Sequence, residues 1–358
     1  MYNTDNMKNK PHNIYIHVPY CMSKCNYCAF FSTACAKPDW DKYTANICDE
    51  IESWGQTLGA IDIPTVFFGG GTPSLMPIER CEKIIDTICK NFHLGANAEI
   101  TLESNPGTLD KNKLVQFTAT GINRLSIGIQ SLDDKKLKFL GRRHNVTDAI
   151  NLLDVAKNLG VRVSADFIYG LPNETVDDVA NLCRKINDLG IQHCSLYELT
   201  IEPDTPFGKM NLKMPDNETM AQMYLAINDT LDLPRYEVSN YAHPGQECQH
   251  NMNVWDGQPY IGIGTGAAGR ILIGNTWYEQ RGNHAQFDKI SDDTRAVETV
   301  LTGMRTIRGC RLTDTIKNVI DMNWAQDNPN LVQINGDRIS ATPDGMLILD
   351  ELMLKLVK

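Results

Sequence analysis

Residues 14 to 28 read Ile14-Tyr15-Ile16-His17-Val18-Pro19-Tyr20-Cys21-Met22-Ser23-Lys24-Cys25-Asn26-Tyr27-Cys28. The β-branched, apolar run Ile14 to Val18 reads as a strand, and three cysteines spaced C-x3-C-x2-C follow on the loop after it. Runs of the same kind recur at Thr65 to Phe68, Glu99 to Glu103, Arg124 to Ile129, Arg162 to Ile168 and Gln192 to Leu199. Helical stripes separate them. Cys81, Ile84, Ile85, Ile88 and Cys89 fall at i, i+3, i+4, i+7 and i+8, and Val179, Leu182, Cys183 and Ile186 repeat the pattern, so these cysteines read as core thiols. Alternating strand and helix implies right-handed βαβ units and a parallel sheet covered by helices. Six units fall short of the eight that close a TIM barrel. The expected fold is therefore α/β, an incomplete, laterally open (β/α)6 TIM-like barrel with its chemistry at the C-terminal ends of the strands.

Beyond Pro203 the rhythm changes. A helix is expected near Glu218 to Leu231, then a loop-rich stretch to Gly282 and a helical segment from Thr294. The tail from Leu331 reads as two short strands around Thr342-Pro343-Asp344-Gly345, followed by a helix. The expected division is a barrel core over 1–210, a connecting region over 211–290, and a small helical, winged-helix-like appendage over 291–358.

The 358 residues allow one large domain with an appendage, or two domains, at roughly 100 to 200 residues each. A net charge of −10 without basic runs argues against a nucleic-acid partner, whose affinity rests on clustered cations. The apolar stretches are too short to span a bilayer, and the polar first 13 residues lack a secretion signal's apolar core, so a cytoplasmic location is expected. Eleven cysteines, an odd number in a long chain, fit reduced thiols serving as ligands or core residues better than a disulfide framework.

Three thiolates as close as Cys21, Cys25 and Cys28 can converge on one metal assembly. A [4Fe–4S] cube needs four ligands, so one iron stays open to an exogenous chelate. The amine and carboxylate of S-adenosylmethionine suit that iron, and one-electron reduction then yields an adenosyl radical, the radical-SAM chemistry. The rival is a structural zinc with Cys35 as fourth ligand. A second feature points to the cluster: Val66-Phe67-Phe68 runs into Gly69-Gly70-Gly71-Thr72-Pro73, a strand end whose missing Cβ atoms let a ligand approach the backbone. Glu103, Gln130 and Asp166 sit at later strand ends and Arg142 one loop beyond the fourth, forming a polar rim able to hold an adenosyl ligand.

Read together, YIHVPYCMSKCNYCAF, FFGGGTPSL, LESNPGT, NRLSIGIQS, DFIYGLP, LTIEPDTPF, YEVSNYAHPG and YIGIGTGA resemble the oxygen-independent coproporphyrinogen oxidase group of radical-SAM proteins. Within it the chain is most similar to the HemW-type haem chaperones. The resemblance implies Cys21, Cys25 and Cys28 as ligands of a [4Fe–4S] cluster. It implies Tyr15, Tyr27, Gly70, Gly71, Thr72, Glu103, Gln130, Arg142 and Asp166 as S-adenosylmethionine contacts. As partners it implies haem, client haemoproteins and, for a redox-active site, an electron donor such as flavodoxin or ferredoxin. A catalytic site would make the protein a coproporphyrinogen III dehydrogenase-like oxidoreductase of porphyrin biosynthesis.

Two features bear on the subgroup. The oxidases carry a further cysteine two positions past the third, where this chain has Phe30, and a longer segment ahead of the motif, where this chain has 20 residues. The chaperones carry an H-N-x-x-Y-W box, matched by His250-Asn251-Met252-Asn253-Val254-Trp255 except at Val254. His250 is thus the candidate axial haem ligand, with Asn251 and Trp255 beside it; Cys248 is a lesser one. Finally, Gly264-Thr265-Gly266-Ala267-Ala268-Gly269, with Asp288 19 residues on, fits a dinucleotide fingerprint. The β-branched Arg270 to Gly274 that follows reads as a strand, not the helix a fingerprint needs, so the loop is expected to help close the adenosyl pocket.

Overall fold

The computed structural model describes residues 10–281 and 287–358. β1 (Asn13–Val18) buries Ile14, Ile16 and Val18 completely, and a short parallel bridge between β2 (Tyr20–Cys21) and β3 (Thr33–Ala34) closes the cysteine loop at its base. There follow α1 (Trp40–Leu58), β4 (Asp62–Gly70), α2 (Ile78–Asn91), β5 (His93–Ser104), α3 (Lys111–Ala119) and β6 (Arg124–Gln130). The alternation continues with α4 (Asp134–Phe139), α5 (Val146–Asn158), β7 (Arg162–Tyr169), α6 (Val176–Asp188) and β8 (His193–Glu198). Helix starts are chemically marked: Asn145 with Asp148, and Thr175 with Asp178, form reciprocal capping boxes that satisfy otherwise orphaned N–H groups of α5 and α6.

β1, β4, β5, β6, β7 and β8 pair in parallel in that order, so their C-terminal ends form one rim. The apolar core lies between this sheet and its helices, with Phe68, Phe117, Phe167 and Trp54 fully buried. Among the described residues the sheet stays open, running from Phe287–Lys289 at one edge to Arg235–Glu237 at the other. The six-unit open barrel is thus the observed architecture.

The stretch read as loop-rich is more ordered than its sequence suggests. After α7 (Asn217–Thr230) come β9 (Arg235–Glu237), β10 (Asn240–Ala242), α8 (Gln249–Trp255), β11 (Tyr260–Ile263), β12 (Ala268–Ile273), β13 (Thr276–Arg281) and β14 (Phe287–Lys289). β11 adds a seventh parallel strand beside β1, and the others extend both edges antiparallel. β9, β10, β11 and β14, at three or four residues, offer too few alternations to be read from pattern, whereas β12 covers the strand read at Arg270 to Gly274 as far as Ile273.

The C-terminal segment comprises α9 (Asp292–Gly303), β15 (Cys310–Arg311), α10 (Asp314–Val319), α11 (Met322–Asp327), β16 (Val332–Asn335), β17 (Arg338–Ala341), α12 (Pro343–Leu347) and α13 (Leu349–Leu356). Its helices and three-stranded sheet share an apolar core of their own. One expectation fails here. The turn between the two tail strands is Gly336-Asp337, and Thr342 to Gly345 instead begin a helix: the Thr342 hydroxyl accepts from the Gly345 N–H and Pro343 occupies the first turn, where its missing donor costs nothing. A second correction concerns the thiols. Cys81 and Cys183 are core residues, but Cys89 is exposed because 100° per residue carries it about 80° around α2 from Cys81.

Candidate functional site

A cavity of about 770 Å3 runs through the barrel interior. It is bordered by all three motif cysteines, by Tyr15, Tyr27, Gly70, Gly71, Thr72, Glu103, Gln130, Arg142 and Asp166, and by His250, Asn251 and Trp255. Residues up to 240 positions apart in sequence are therefore brought to one space.

The cysteine loop is pinned at both ends. At its tip the Asn26 N–H donates to the Leu140 carbonyl at 3.1 Å, the Asn26 amide to the Phe139 carbonyl at 2.8 Å, and Phe207 N–H to the Asn26 carbonyl at 2.9 Å. At its far end the His17 Nε2–H donates to the Phe31 carbonyl at 2.7 Å, which leaves His17 Nδ1 to accept from the Tyr15 hydroxyl at 3.0 Å. The glycine-rich Gly264 to Gly269 segment supports this loop from outside. Gly266 packs so closely on the Phe31 ring that no Cβ would fit, and β12 follows without any helix. A dinucleotide is thereby excluded as its ligand, and the segment braces the cysteine loop rather than bordering the cavity.

Cys21, Cys25 and Cys28 are free thiols, partly exposed at the cavity. The Thr72 hydroxyl donates to Cys21 Sγ at 3.5 Å and the Arg142 guanidinium to Cys25 Sγ at 3.4 Å. Burial first, and then the neighbouring Cys25 and Cys21, push the Cys28 thiol above its ordinary range, a repulsion that a shared cationic metal centre reverses. The donor set fits a thiolate-held iron–sulfur cube.

Gly70, Glu103 and Gln130 lie at strand ends and supply the rest of the rim, whereas Asp166, expected at one, lies within β7 and faces the cavity from there. Gly70, at φ +110°, ends β4 in a conformation open to glycine, and a Cβ there would fall 2.5 Å from the His17 imidazole. Its N–H instead donates to Glu103 Oε2 at 3.0 Å. Glu103 borders the cavity half-buried, and desolvation, reinforced by Asp166, pushes its carboxyl up to about 8. Asp166 is also raised by burial, opposed by hydroxyl donors from Ser126 at 2.6 Å and Ser164 at 3.1 Å. Gln130 adopts φ +70°, a left-handed conformation rare outside glycine, at a register shift between β6 and β7. Arg142 ties the rim together, donating to Cys25, to the Gly128 carbonyl at 2.7 Å and to Asn105. Two carboxyls lining one cavity, Asp166 with the charge of Arg124 acting on it and Glu103 beside it, suit a ligand carrying positive charge, as the ammonium and sulfonium of S-adenosylmethionine do.

His250 stands apart from this rim. It lies on α8, which packs under β4 and β1, and its Nδ1 bonds the Thr65 hydroxyl at 2.7 Å. Thr65 precedes Gly70 by five residues, so the imidazole sits about 16 Å along the strand from the glycine end. Its ring lies 5.1 Å from that of Phe67, and burial, followed by the charge of Arg124, lowers its pKa to about 3. The box is thus the floor of the barrel, with a neutral imidazole. Sequence reading missed what holds that floor: the Glu99 carboxylate accepts the backbone N–H of His250 at 2.9 Å and of Gln249 at 3.1 Å, and pairs with Arg162 at 3.1 Å. Buried charge inside an apolar strand was the signal available. Asn26, Asn105, Ser126 and Ser164 carried none.

An open parallel barrel with three thiols on the loop after its first strand defines the radical-SAM class, and the Radical SAM superfamily model matches residues 15–186. The chain is 37% identical to the heme chaperone HemW of Escherichia coli (strain K12), over 75% of this chain and 72% of that one. It is 32% identical to the heme chaperone HemW of Haemophilus influenzae, over 96% and 97% respectively. Similarity at this level and coverage places it: the chain belongs to the HemW family of radical-SAM proteins. Among solved structures, coproporphyrinogen III oxidase (HemN) from Escherichia coli superposes with a TM-score of 0.80 over 98% of this chain and 91% of that one. At 17% identity that likeness speaks for the fold alone.

Proposed function

We propose that this protein is a haem chaperone, binding haem and passing it to client haemoproteins, with an iron–sulfur cluster and S-adenosylmethionine housed in the same barrel. The observation that carries the reading is the near full-length similarity to the HemW of Haemophilus influenzae, 32% identical over 96% of this chain. Cys21, Cys25 and Cys28 would hold a [4Fe–4S] cluster, and Tyr15, Tyr27, Gly70, Gly71, Thr72, Glu103, Gln130, Arg142 and Asp166 would surround S-adenosylmethionine. When bound, the pair supplies one-electron cleavage chemistry. The chain's own part is to hold the ligand's positive groups beside Glu103 and Asp166 and to keep the cysteine loop fixed through Asn26 and His17. His250, Asn251 and Trp255 on the floor would contact haem. Free thiols at all eleven cysteines agree with a reducing, cytoplasmic site of action, and a flavodoxin or ferredoxin would supply electrons to a redox-active site.

Reconstitution without oxygen, followed by haem titration of the wild type and His250→Ala, tests the reading. Stoichiometric haem retention, weakened in His250→Ala, is the expected result, and failure to retain haem refutes it. The second reading, decarboxylation of porphyrinogen propionates, is supported by the intact cysteine loop and cavity. Coproporphyrinogen III turnover assayed on the same sample decides between them: no product removes the oxidase.

A further inference from the structure

Arg124 begins β6, is 2% exposed, and borders the central cavity. Its nearest carboxylate is already in use. Glu99 Oε2 accepts from Arg162 and from the Gln249 N–H, both at 3.1 Å, and Oε1 accepts from the His250 N–H at 2.9 Å and the Cys248 thiol at 3.6 Å. Arg124 Nε stands 3.9 Å from Glu99, beyond hydrogen-bonding range, and among the described residues this is its one ion pair and its guanidinium donates no hydrogen bond. Its five N–H donors thus lack protein acceptors, and the guanidinium nitrogens are not sealed away from the cavity, so their acceptors come from whatever fills it.

The neighbours leave Arg124 as the cation of this end of the cavity. His193 is bonded at both ring nitrogens, to Ser164 and to the Tyr236 hydroxyl, each at 2.7 Å. Burial, and then Arg124 itself, hold both His193 and His250 well below their ordinary range, so both imidazoles are neutral. Asp166 accepts from Ser126 and Ser164 and feels the charge of Arg124 without a hydrogen bond to it. We infer that the inner end of the cavity is a carboxylate-binding subsite in which the guanidinium fork of Arg124 grips an anionic oxygen pair. A fork of this geometry matches a carboxylate bidentately. The carboxylate could come from a haem propionate, which rests on the chaperone reading, or from a small free acid, which does not.

Two titrations separate these sources. Haem and haem dimethyl ester, identical except for free carboxylates, are titrated into wild-type protein and Arg124→Gln, and the thermal midpoint of each protein is followed in propionate against chloride. The expected result is that esterification weakens binding to the wild type by about tenfold or more and makes no difference to Arg124→Gln. Should haem fail to bind while propionate stabilises only the wild type, the subsite stands for a small acid and the chaperone reading fails. Equal binding of haem and its ester by the wild type, with propionate no better than chloride, overturns the subsite, leaves water as its occupant, and spares the chaperone reading. Neither haem nor propionate binding overturns both. The wild-type comparisons retain their force even if Arg124→Gln does not fold.

Discussion

Glu103 should make the ligand-free fold weaken as pH rises. Its carboxyl is pushed to about 8 in the folded protein against an ordinary 4.5, by burial first and by Asp166 second. Between those values the folded state holds a proton that the unfolded state has released. Stability from this group is complete below about 4.5, falls through the window, and is fully lost above about 8. The limiting slope for one proton is about 1.4 kcal/mol per pH unit, which over the window is on the order of 5 kcal/mol. Replacing the carboxyl by an amide keeps an oxygen to accept the Gly70 N–H but removes the proton equilibrium. Urea unfolding of wild type and Glu103→Gln from pH 5.5 to 8.5, without metal or adenosyl ligand, measures this directly. The expected result is a wild-type free energy that falls relative to the variant by about 1.4 kcal/mol per unit near neutrality. Parallel curves for the two proteins would refute the assignment of a half-buried, protonated Glu103.

Three further outcomes follow from the same geometry. Cys21→Ala, Cys25→Ala and Cys28→Ala should each lose iron on reconstitution, since a three-thiolate site has no spare ligand, whereas Cys81→Ala and Cys183→Ala should retain it and lose about 1 to 3 kcal/mol of stability; iron content and denaturant midpoints report both. Gly70→Ala must force a Cβ into the His17 imidazole at φ +110° and should lose both stability and S-adenosylmethionine binding, while Gly107→Ala, at φ +85° in open space, should cost only about 1 kcal/mol. Calorimetric binding of the two variants distinguishes these. Glu99→Gln removes the carboxylate that holds α8 and pairs with Arg162, and should cost about 3 kcal/mol or more by thermal unfolding, with His250 rising in solvent accessibility by hydrogen exchange of its backbone N–H.

What the amino-acid order determined by itself was local. Apolar runs and helical stripes set the six parallel strands and their helices, because 2.0 and 3.6 periodicities depend only on neighbours in the chain. The thiol spacing and the glycine strand end were legible for the same reason, being built within one loop and one turn. Tertiary structure alone decided the rest. Four-residue β11 became a strand because β1 offered an unpaired edge. Thr342 became a helix cap rather than a turn because its N–H is held by the Leu331 carbonyl at 2.9 Å, against which Gly345 also packs. The histidine box became the floor of the barrel because Glu99, 151 positions away from His250, accepts its backbone. Arg124 was left with its donors facing a cavity because Arg162 and the start of α8 occupy that carboxylate. Contacts across such separations are fixed by the packing of strands and helices in space, and a one-dimensional pattern carries no record of which partner arrives at a shared acceptor.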